Sequence, residues 1–250
     1  MAGWLNGKVV AVTGGESGIG RAIVLRCAAE GASVTAAGLQ EDNLASVAKA
    51  AEGLPGKVRA VRCDVSQEDQ VNDMITGTVA AFGHLDAAVA NAGAFNVTTD
   101  FADFTLAEWN RIMGVNLTGV FLTLRAALRV LEKQGRGGSL LATSSSTVHR
   151  ANTHHACYVA SKGGVEALMR TLARELAPKK IRCNIIVPGL TRTPAASTEQ
   201  GYITQQLADI PMGELVEPEE LAALVAFALS DEAPHMTATL LKVDAGRIIG

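Results

Sequence analysis

Tyr158 and Lys162 stand four residues apart in the run Tyr158-Val159-Ala160-Ser161-Lys162. On a helix, that spacing puts both side chains on one face, about 6 Å apart at Cβ. A free tyrosine has a pKa of about 10, too high for a base near neutrality. An ammonium about 4 Å away contributes roughly 4 kcal/mol at an effective dielectric of 20, close to three pKa units at the upper limit. Such a pair could take the hydroxyl proton of an alcohol, or return it to a carbonyl oxygen, near neutral pH. That is the proton half of a hydride transfer. Only two tyrosines occur, Tyr158 and Tyr202, which reduces the weight of chance placement. An ordinary surface pair would show the same spacing in isolation, so the rest of the chain must separate the two readings.

A second constellation suits phosphate. Thr13-Gly14-Gly15-Glu16-Ser17-Gly18-Ile19-Gly20 joins the first apolar run to the first helical pattern. Glycines there permit positive φ and let the backbone approach a pyrophosphate at the helix N-terminus, where free N–H groups attract anions. The spacing is GxxxGxG, not GxGxxG, and plain turn punctuation is the alternative. In dinucleotide-binding folds an acid at the end of the second strand bonds the adenosine ribose, whereas a nearby Arg accepts a 2′-phosphate. Here the stretch is Ala36-Ala37-Gly38-Leu39-Gln40, with neither. Gln40 could bond a hydroxyl and Glu16 would repel a phosphate, which favours NAD over NADP. Asp64-Val65, after the third strand, is placed to hold the adenine edge; Asp64 could equally cap the loop before the next helix.

These groups need a scaffold, and the pattern supplies one. Apolar runs at Val9–Val12, Ser33–Ala37, Val58–Arg62, Ala87–Ala90, Leu140–Thr143, Ile181–Val187 and Leu240–Val243 predict seven strands. Helical patterns lie between them at Arg21–Ala29, Leu44–Ala51, from Ser66 with Asp69 as an approximate capping box, Leu106–Leu131, Tyr158–Leu176 and Glu219–Leu229. Continuous apolar strands alternating with amphipathic helices imply an α/β fold, a parallel sheet covered on both faces. A (β/α)₈ barrel suits a chain of 250 residues. Seven strands, with the phosphate turn after the first, favour a doubly wound Rossmann-type sheet in a single domain over 1–250.

Composition narrows the function classes. A formal charge of −3 and a pI of about 6.0 leave no basic footprint for nucleic acid or an anionic membrane. No stretch approaches the roughly 18 consecutive apolar residues of a membrane span, and the start lacks a signal-peptide pattern. Cys27, Cys63, Cys157 and Cys183 form no CxxC pair, which argues against a disulfide framework or zinc site and for a reducing cytoplasm.

Taken together, the TGGESGIG turn, Asn91-Ala92-Gly93 and Tyr158-Val159-Ala160-Ser161-Lys162 resemble the short-chain dehydrogenase/reductase family, in its short single-domain branch. The likeness runs collinearly through Val115-Asn116-Leu117-Thr118-Gly119-Val120-Phe121, Ser144-Ser145, Asn184, Pro188-Gly189 with Thr193, and Val243-Asp244-Ala245-Gly246. It implies Tyr158 as general acid/base, with Lys162 lowering its pKa and holding the nicotinamide ribose. Ser145, thirteen residues before Tyr158, would hold the substrate oxygen. Strand alternation turns its neighbours Ser144 and Ser146 away. Asn116 would bind a relay water behind Lys162. The resemblance also implies that Asn91, Ala92 and Gly93 line the cofactor. Pro188, Gly189 and Thr193 flank the nicotinamide, with Thr191 competing for its carboxamide. Val148 and Gly114 depart from the family pattern.

The implied protein is an alcohol/ketone oxidoreductase using NAD or NADP without a metal. Its partner is a small-molecule substrate, and its expected assembly a homotetramer or homodimer built on the helices near Leu106 and Tyr158. A segment around 190–212 would form a substrate lid. His149, His154 and His155 fit a pocket rim, a subunit contact or a plain surface loop. Two alternatives stand: a 3-oxoacyl-thioester reductase, for which Arg125 and Arg129 could meet an acyl carrier, and a non-catalytic dinucleotide sensor.

Overall fold

Short apolar runs become strands here because each is covered from both sides. The computed structural model describes residues 3–95, 100–150, 152–194 and 206–248. Strands β1 (Val9–Thr13), β2 (Ser33–Gly38), β3 (Lys57–Arg62), β4 (Ala87–Ala90), β5 (Gly138–Thr143), β6 (Ile181–Pro188) and β7 (Leu240–Val243) form one sheet in the order β3-β2-β1-β4-β5-β6-β7. All six pairings are parallel. The chain leaves β3 at one edge and returns as β4 beside β1, so the strand order reverses there. Crevices at such switch points, outside the carboxyl ends of the strands, are where open α/β sheets bind ligands.

Period-two alternation divides the core. Leu140 and Ile185 pack on one face with Met74, Leu124 and Met169, whereas their neighbours Leu141 and Ile186 pack on the other with Ile23, Val34 and Val225. The first layer is built from α3 (Glu68–Phe82), α4 (Leu106–Met113), α5 (Gly119–Gln134) and α7 (Ala156–Leu176). The second holds α1 (Gly18–Ala29), α2 (Glu41–Ala50) and α8 (Pro218–Leu229); a short α6 (Thr147–Arg150) follows β5.

Two local expectations are corrected. Ser66 does not open a capping box with Asp69: α3 starts at Glu68, and the Ser66 N–H and hydroxyl both donate to Asp64 Oδ1, at 2.9 and 2.7 Å. The Asp64 side chain satisfies the turn first, the ordinary competition between Asx turns and helix caps. The helix expected over Leu106–Leu131 is interrupted by a π turn at Gly114–Thr118, where the Gly119 N–H reaches the Gly114 carbonyl. Close packing accompanies it, since a Cβ on Gly119 would stand 2.7 Å from Val65 Cγ2. By length and composition the run Leu106–Gln134 could cross a bilayer, but half of that window is buried inside the fold, which accounts for its apolarity.

Candidate active site

Helix α7 delivers three buried polar side chains at successive turns of one face, Tyr158, Lys162 and Glu166. The end of β5 brings serines to them. The Ser145 hydroxyl lies close enough to the Tyr158 phenol to favour its ionised form. Ser145 Oγ also accepts from the Thr147 N–H at 3.2 Å and the Thr147 hydroxyl at 3.0 Å, which leaves its own proton to give onward. Ser144 points elsewhere, donating to Glu166 Oε1 at 2.7 Å, and Ser146 is buried with its N–H on the Pro188 carbonyl. Among the three serines, Ser145 is the one that meets Tyr158.

Lys162 Nζ donates to the Thr143 carbonyl at 2.8 Å and lies 5.8 Å from the centre of the Tyr158 ring. Burial lowers its pKa to about 8. Gly93 lies beside it: a Cβ there would stand 3.4 Å from Nζ and 3.6 Å from Asn116 Oδ1, ordinary contact distances. Asn116, inside the π turn, is fully buried. It accepts from the Ala94 N–H (2.7 Å) and donates to the Ala94 carbonyl (2.9 Å) and Ser161 Oγ (3.1 Å). Both its amide hydrogens are committed, so a relay water would have to use its remaining oxygen capacity or its main chain.

The expected lowering of the Tyr158 pKa is not what the protein alone shows. Burial pushes the phenol up to about 12, and the nearby Ser145 hydroxyl opposes it. Desolvation outweighs the attraction of an ammonium set nearly 6 Å from the ring centre and itself weakened by burial.

The turn expected to cradle a pyrophosphate is closely packed. Gly14 and Gly18 have φ of +65° and +49°, and a Cβ on Gly20 would lie 1.9 Å from the Gly14 carbonyl oxygen. Ser17 is the N-cap of α1 but makes no side-chain cap bond, leaving N–H groups of the first turn for an anion. Ile19 packs against the core beneath the loop. Thr13 Oγ1 accepts from the Asn91 and Ala92 N–H groups at 3.1 and 3.2 Å, and Asn91 Oδ1 accepts from the Thr143 hydroxyl at 3.1 Å. These residues stitch β1, β4 and β5 together where the strand order reverses.

At the adenosine end, Leu39 is more than half exposed beside Gly38. Val65 is buried in the core against Gly119, so its side chain is not placed for the expected adenine contact. At the nicotinamide end, a Cβ on Gly189 would lie 2.6 Å from Asp244 Cα, and Pro188 ends β6. Thr191 is buried with its hydroxyl on the Gly189 carbonyl, whereas the Thr193 methyl would lie 3.1 Å from a Cβ on Gly18. Thr193, not Thr191, therefore borders the glycine loop. Residues 195–205 of the expected lid lie outside the described residues.

Sequence reasoning missed Phe95, Thr147 and Glu166. Phe95 stacks on Tyr158 with ring centroids 4.8 Å apart. Its signal was an aromatic two residues beyond Asn91-Ala92-Gly93. Glu166 continues the i, i+4 ladder from Tyr158 and could have been found by the same spacing. The histidines have partners: His149 with Glu166 (3.0 Å), His154 with Asp100 (2.9 Å) and His155 with the Thr153 carbonyl (2.7 Å). Among the described residues no cluster of His, Cys, Asp or Glu could hold a metal ion.

The family model described as enoyl-(acyl carrier protein) reductase matches residues 14–247. The chain is 38% identical to 3-oxoacyl-(acyl-carrier-protein) reductase FabG of Thermotoga maritima, over 98% of this chain and 99% of the relative. It is 37% identical to 3-alpha-(or 20-beta)-hydroxysteroid dehydrogenase of Mycobacterium bovis, over 100% of this chain and 93% of the relative. The crystal structure of 3-ketoacyl-(acyl-carrier-protein) reductase from Brucella melitensis complexed with NADH superposes with a TM-score of 0.92. That match is at 33% identity, covering 98% of this chain and 100% of that one.

The chain belongs to the short-chain dehydrogenase/reductase family. It is an NAD(P)-dependent oxidoreductase. Members of this family bind a nicotinamide cofactor, and the close packing around Gly14, Gly18 and Gly20 keeps the turn before α1 free of side chains of its own at those positions. Its departures from the family pattern also find places: Val148 enters the short α6 after the serines, and Gly114 opens the π turn.

Proposed function

We propose that this oxidoreductase interconverts a secondary alcohol and a ketone, with Tyr158 as the general acid/base. The observation that carries the reading is the burial of Ser145, Tyr158 and Lys162 in one place, with Lys162 Nζ 5.8 Å from the centre of the Tyr158 ring and Ser145 acting on the phenol. A bound nicotinamide supplies or accepts the hydride. Ser145, with two donors from Thr147 on its oxygen, directs its proton to the substrate oxygen and stabilises the charge that develops there. Tyr158 exchanges a proton with that oxygen. Lys162 is fixed on the Thr143 carbonyl, retains donors for the ribose, and carries a charge that favours phenolate. Asn116 holds the main chain at Ala94, which positions the loop beside Gly93 and Lys162. Thr193 serves the carboxamide.

NAD(H) suits the adenosine end better than NADP(H), since Gly38-Leu39-Gln40 offers a phosphate no base. The assembly is a homotetramer or homodimer through the α4–α5 and α7 helices. Support comes from the exposed Phe121 and from an open 590 Å³ depression lined by Ala167, Arg170, Thr171, Arg174 and Glu175. Four free buried cysteines suit the cytoplasm.

A panel of secondary alcohols and ketones, assayed with NAD and NADP separately and repeated on Tyr158→Phe, tests the reading. Turnover that survives undiminished in Tyr158→Phe sinks it. The second reading, reduction of 3-oxoacyl thioesters, is favoured by the names of two of the proteins compared above. Arg125 is committed to Glu68 and the Phe121 ring, so an acyl-carrier contact would rest on the exposed Arg129. A salt-sensitive preference for carrier-bound substrates would select that reading.

A further inference from the structure

The end of β2 poses a question that its own residues do not answer. Dinucleotide folds place an acid there for the ribose hydroxyls, or a base nearby for a 2′-phosphate, about 20 residues beyond the glycine turn. Gly38, Leu39 and Gln40 supply neither. The structure brings a carboxylate to the same place from another part of the chain. Glu16, inside the glycine turn, reaches across to the strand end, and its Oε1 accepts from the Leu39 N–H at 3.1 Å. Its Oε2 is buried with no hydrogen-bond partner. A Cβ on Gly38 would stand 2.0 Å from that oxygen and 2.1 Å from the carboxyl carbon. Gly38 has ordinary strand geometry and pairs in register with Arg62 on β3, so it is not glycine for the sake of a left-handed turn. It is glycine because the Glu16 carboxylate fills the space of its side chain.

An ionised carboxylate has about four lone-pair sites, and the Leu39 bond occupies one. The rest can accept from hydroxyls but not from a phosphate, whose charge has the same sign. Arg62, opposite Gly38 in the sheet register, is the basic side chain to weigh against this. It faces Glu41 at 3.7 Å across exposed surface.

We propose that Glu16 is the cofactor-selecting residue of this chain: it replaces the strand-end acid as acceptor for the adenosine ribose hydroxyls and repels a 2′-phosphate. Gly38 is the vacancy that admits it. The proposal deepens the reading of the cleft as a nicotinamide-dinucleotide site and rests on it.

Calorimetric titration of the purified protein with NAD and with NADP gives the test, and needs no turnover. The wild type is expected to bind NAD at least about tenfold more tightly than NADP, a difference of about 1.4 kcal/mol. Glu16→Gln keeps an acceptor and removes the charge, so the ratio should narrow severalfold, chiefly through tighter NADP binding. Gly38→Ala should weaken NAD binding and lower Tm in the presence of Glu16, and do so much less in a Glu16→Ala background. Glu16→Ala with Gly38→Asp moves the acid onto the strand end and should restore the NAD preference that Glu16→Ala loses. Far-UV circular dichroism checks that each variant folds.

Wild-type binding of NADP as tight as that of NAD overturns the assignment, as does a ratio unchanged in Glu16→Gln. Additive effects of Gly38→Ala and Glu16→Ala overturn the steric coupling. Failure of the wild type to bind either dinucleotide would instead remove the cofactor-site reading itself.

Discussion

The ring of Phe95 lies on that of Tyr158, centroids 4.8 Å apart and planes inclined by 21°. One face of the phenol is thereby shielded, while Phe95 itself is 54% exposed and open to whatever enters the cleft. The Phe95 carbonyl accepts from Arg111 Nη2 at 2.8 Å, and Arg111 is clamped in turn by Glu108. An aromatic held in this way forms an apolar wall next to the acid/base.

Replacing Phe95 with Ala should lower kcat/KM for ketones on a flat apolar body by about two- to tenfold, the value of one aromatic stack. Dinucleotide affinity should hold. Opening the phenol to water should also move the tyrosine limb of the pH–rate profile downward, since burial is what raises its pKa. Steady-state kinetics across pH on both proteins checks this, and an unmoved profile refutes the shielding role.

Lys162 carries a pH dependence of its own. With its pKa lowered to about 8, it is charged at neutral pH and loses its proton, and one donor, as pH rises through that value. Dinucleotide affinity should therefore decline above about pH 8. Lys162→Met should bind more weakly at neutral pH and show little further decline. Fluorescence titration from pH 6.5 to 9.5 distinguishes the two curves, and parallel curves would count against the charge.

Asn116 satisfies the N–H and carbonyl of Ala94 at once. Asn116→Ala leaves both polar groups without that partner, at about 1–3 kcal/mol for each one that stays buried. A clear drop in Tm is expected. Asn116→Asp keeps the acceptor for the Ala94 N–H but loses both donors, so it should fall between wild type and Asn116→Ala. Thermal denaturation of the three proteins measures the order.

Alkaline stability follows from the buried thiols. Burial raises Cys27 and Cys183 to about 12 and Cys63 to about 11, from an ordinary 9.0, and raises Tyr158 to about 12 from 10.0. Each group keeps its proton in the folded chain after the unfolded chain has lost it. Their contribution is whole below about pH 9 and is lost as pH climbs toward the folded values. Lys162 acts in the opposite sense: its folded value of about 8 lies below 10.5, so its charged-state penalty fades between those limits. Four groups oppose one, and Tm should fall from pH 9 to 11. The fall should be shallower in a Cys27→Ala, Cys183→Ala double variant; a rising Tm would show that Lys162 dominates.

The sheet was legible in the sequence because each strand is a short apolar run and each helix an amphipathic one. Tyr158 and Lys162 were legible because one helix carries both, so their spacing is their geometry. What escaped depends on contacts between distant segments. Glu16 was read as a repulsive charge in a loop, since nothing local says that it reaches Gly38. The π turn at Gly114–Thr118 was hidden because apolar periodicity continues through it, and its buried Asn116 bonds to Ala94, more than twenty residues earlier. Desolvation of Tyr158 was invisible for a similar reason: burial is a property of the assembled fold, and the spacing to Lys162 says nothing of it.

The ladder of Tyr158, Lys162 and Glu166 on α7 has an evolutionary consequence. Inserting or deleting one residue between Tyr158 and Glu166 would rotate everything after it by about 100° and scatter the three side chains around the helix. Length changes there should be lethal to activity. The connections after β4 and after β6 bear no such constraint, and it is there, beside Phe95 and Thr193, that descendants of this chain can gain or lose residues and acquire new substrates while the proton-handling helix stays in register.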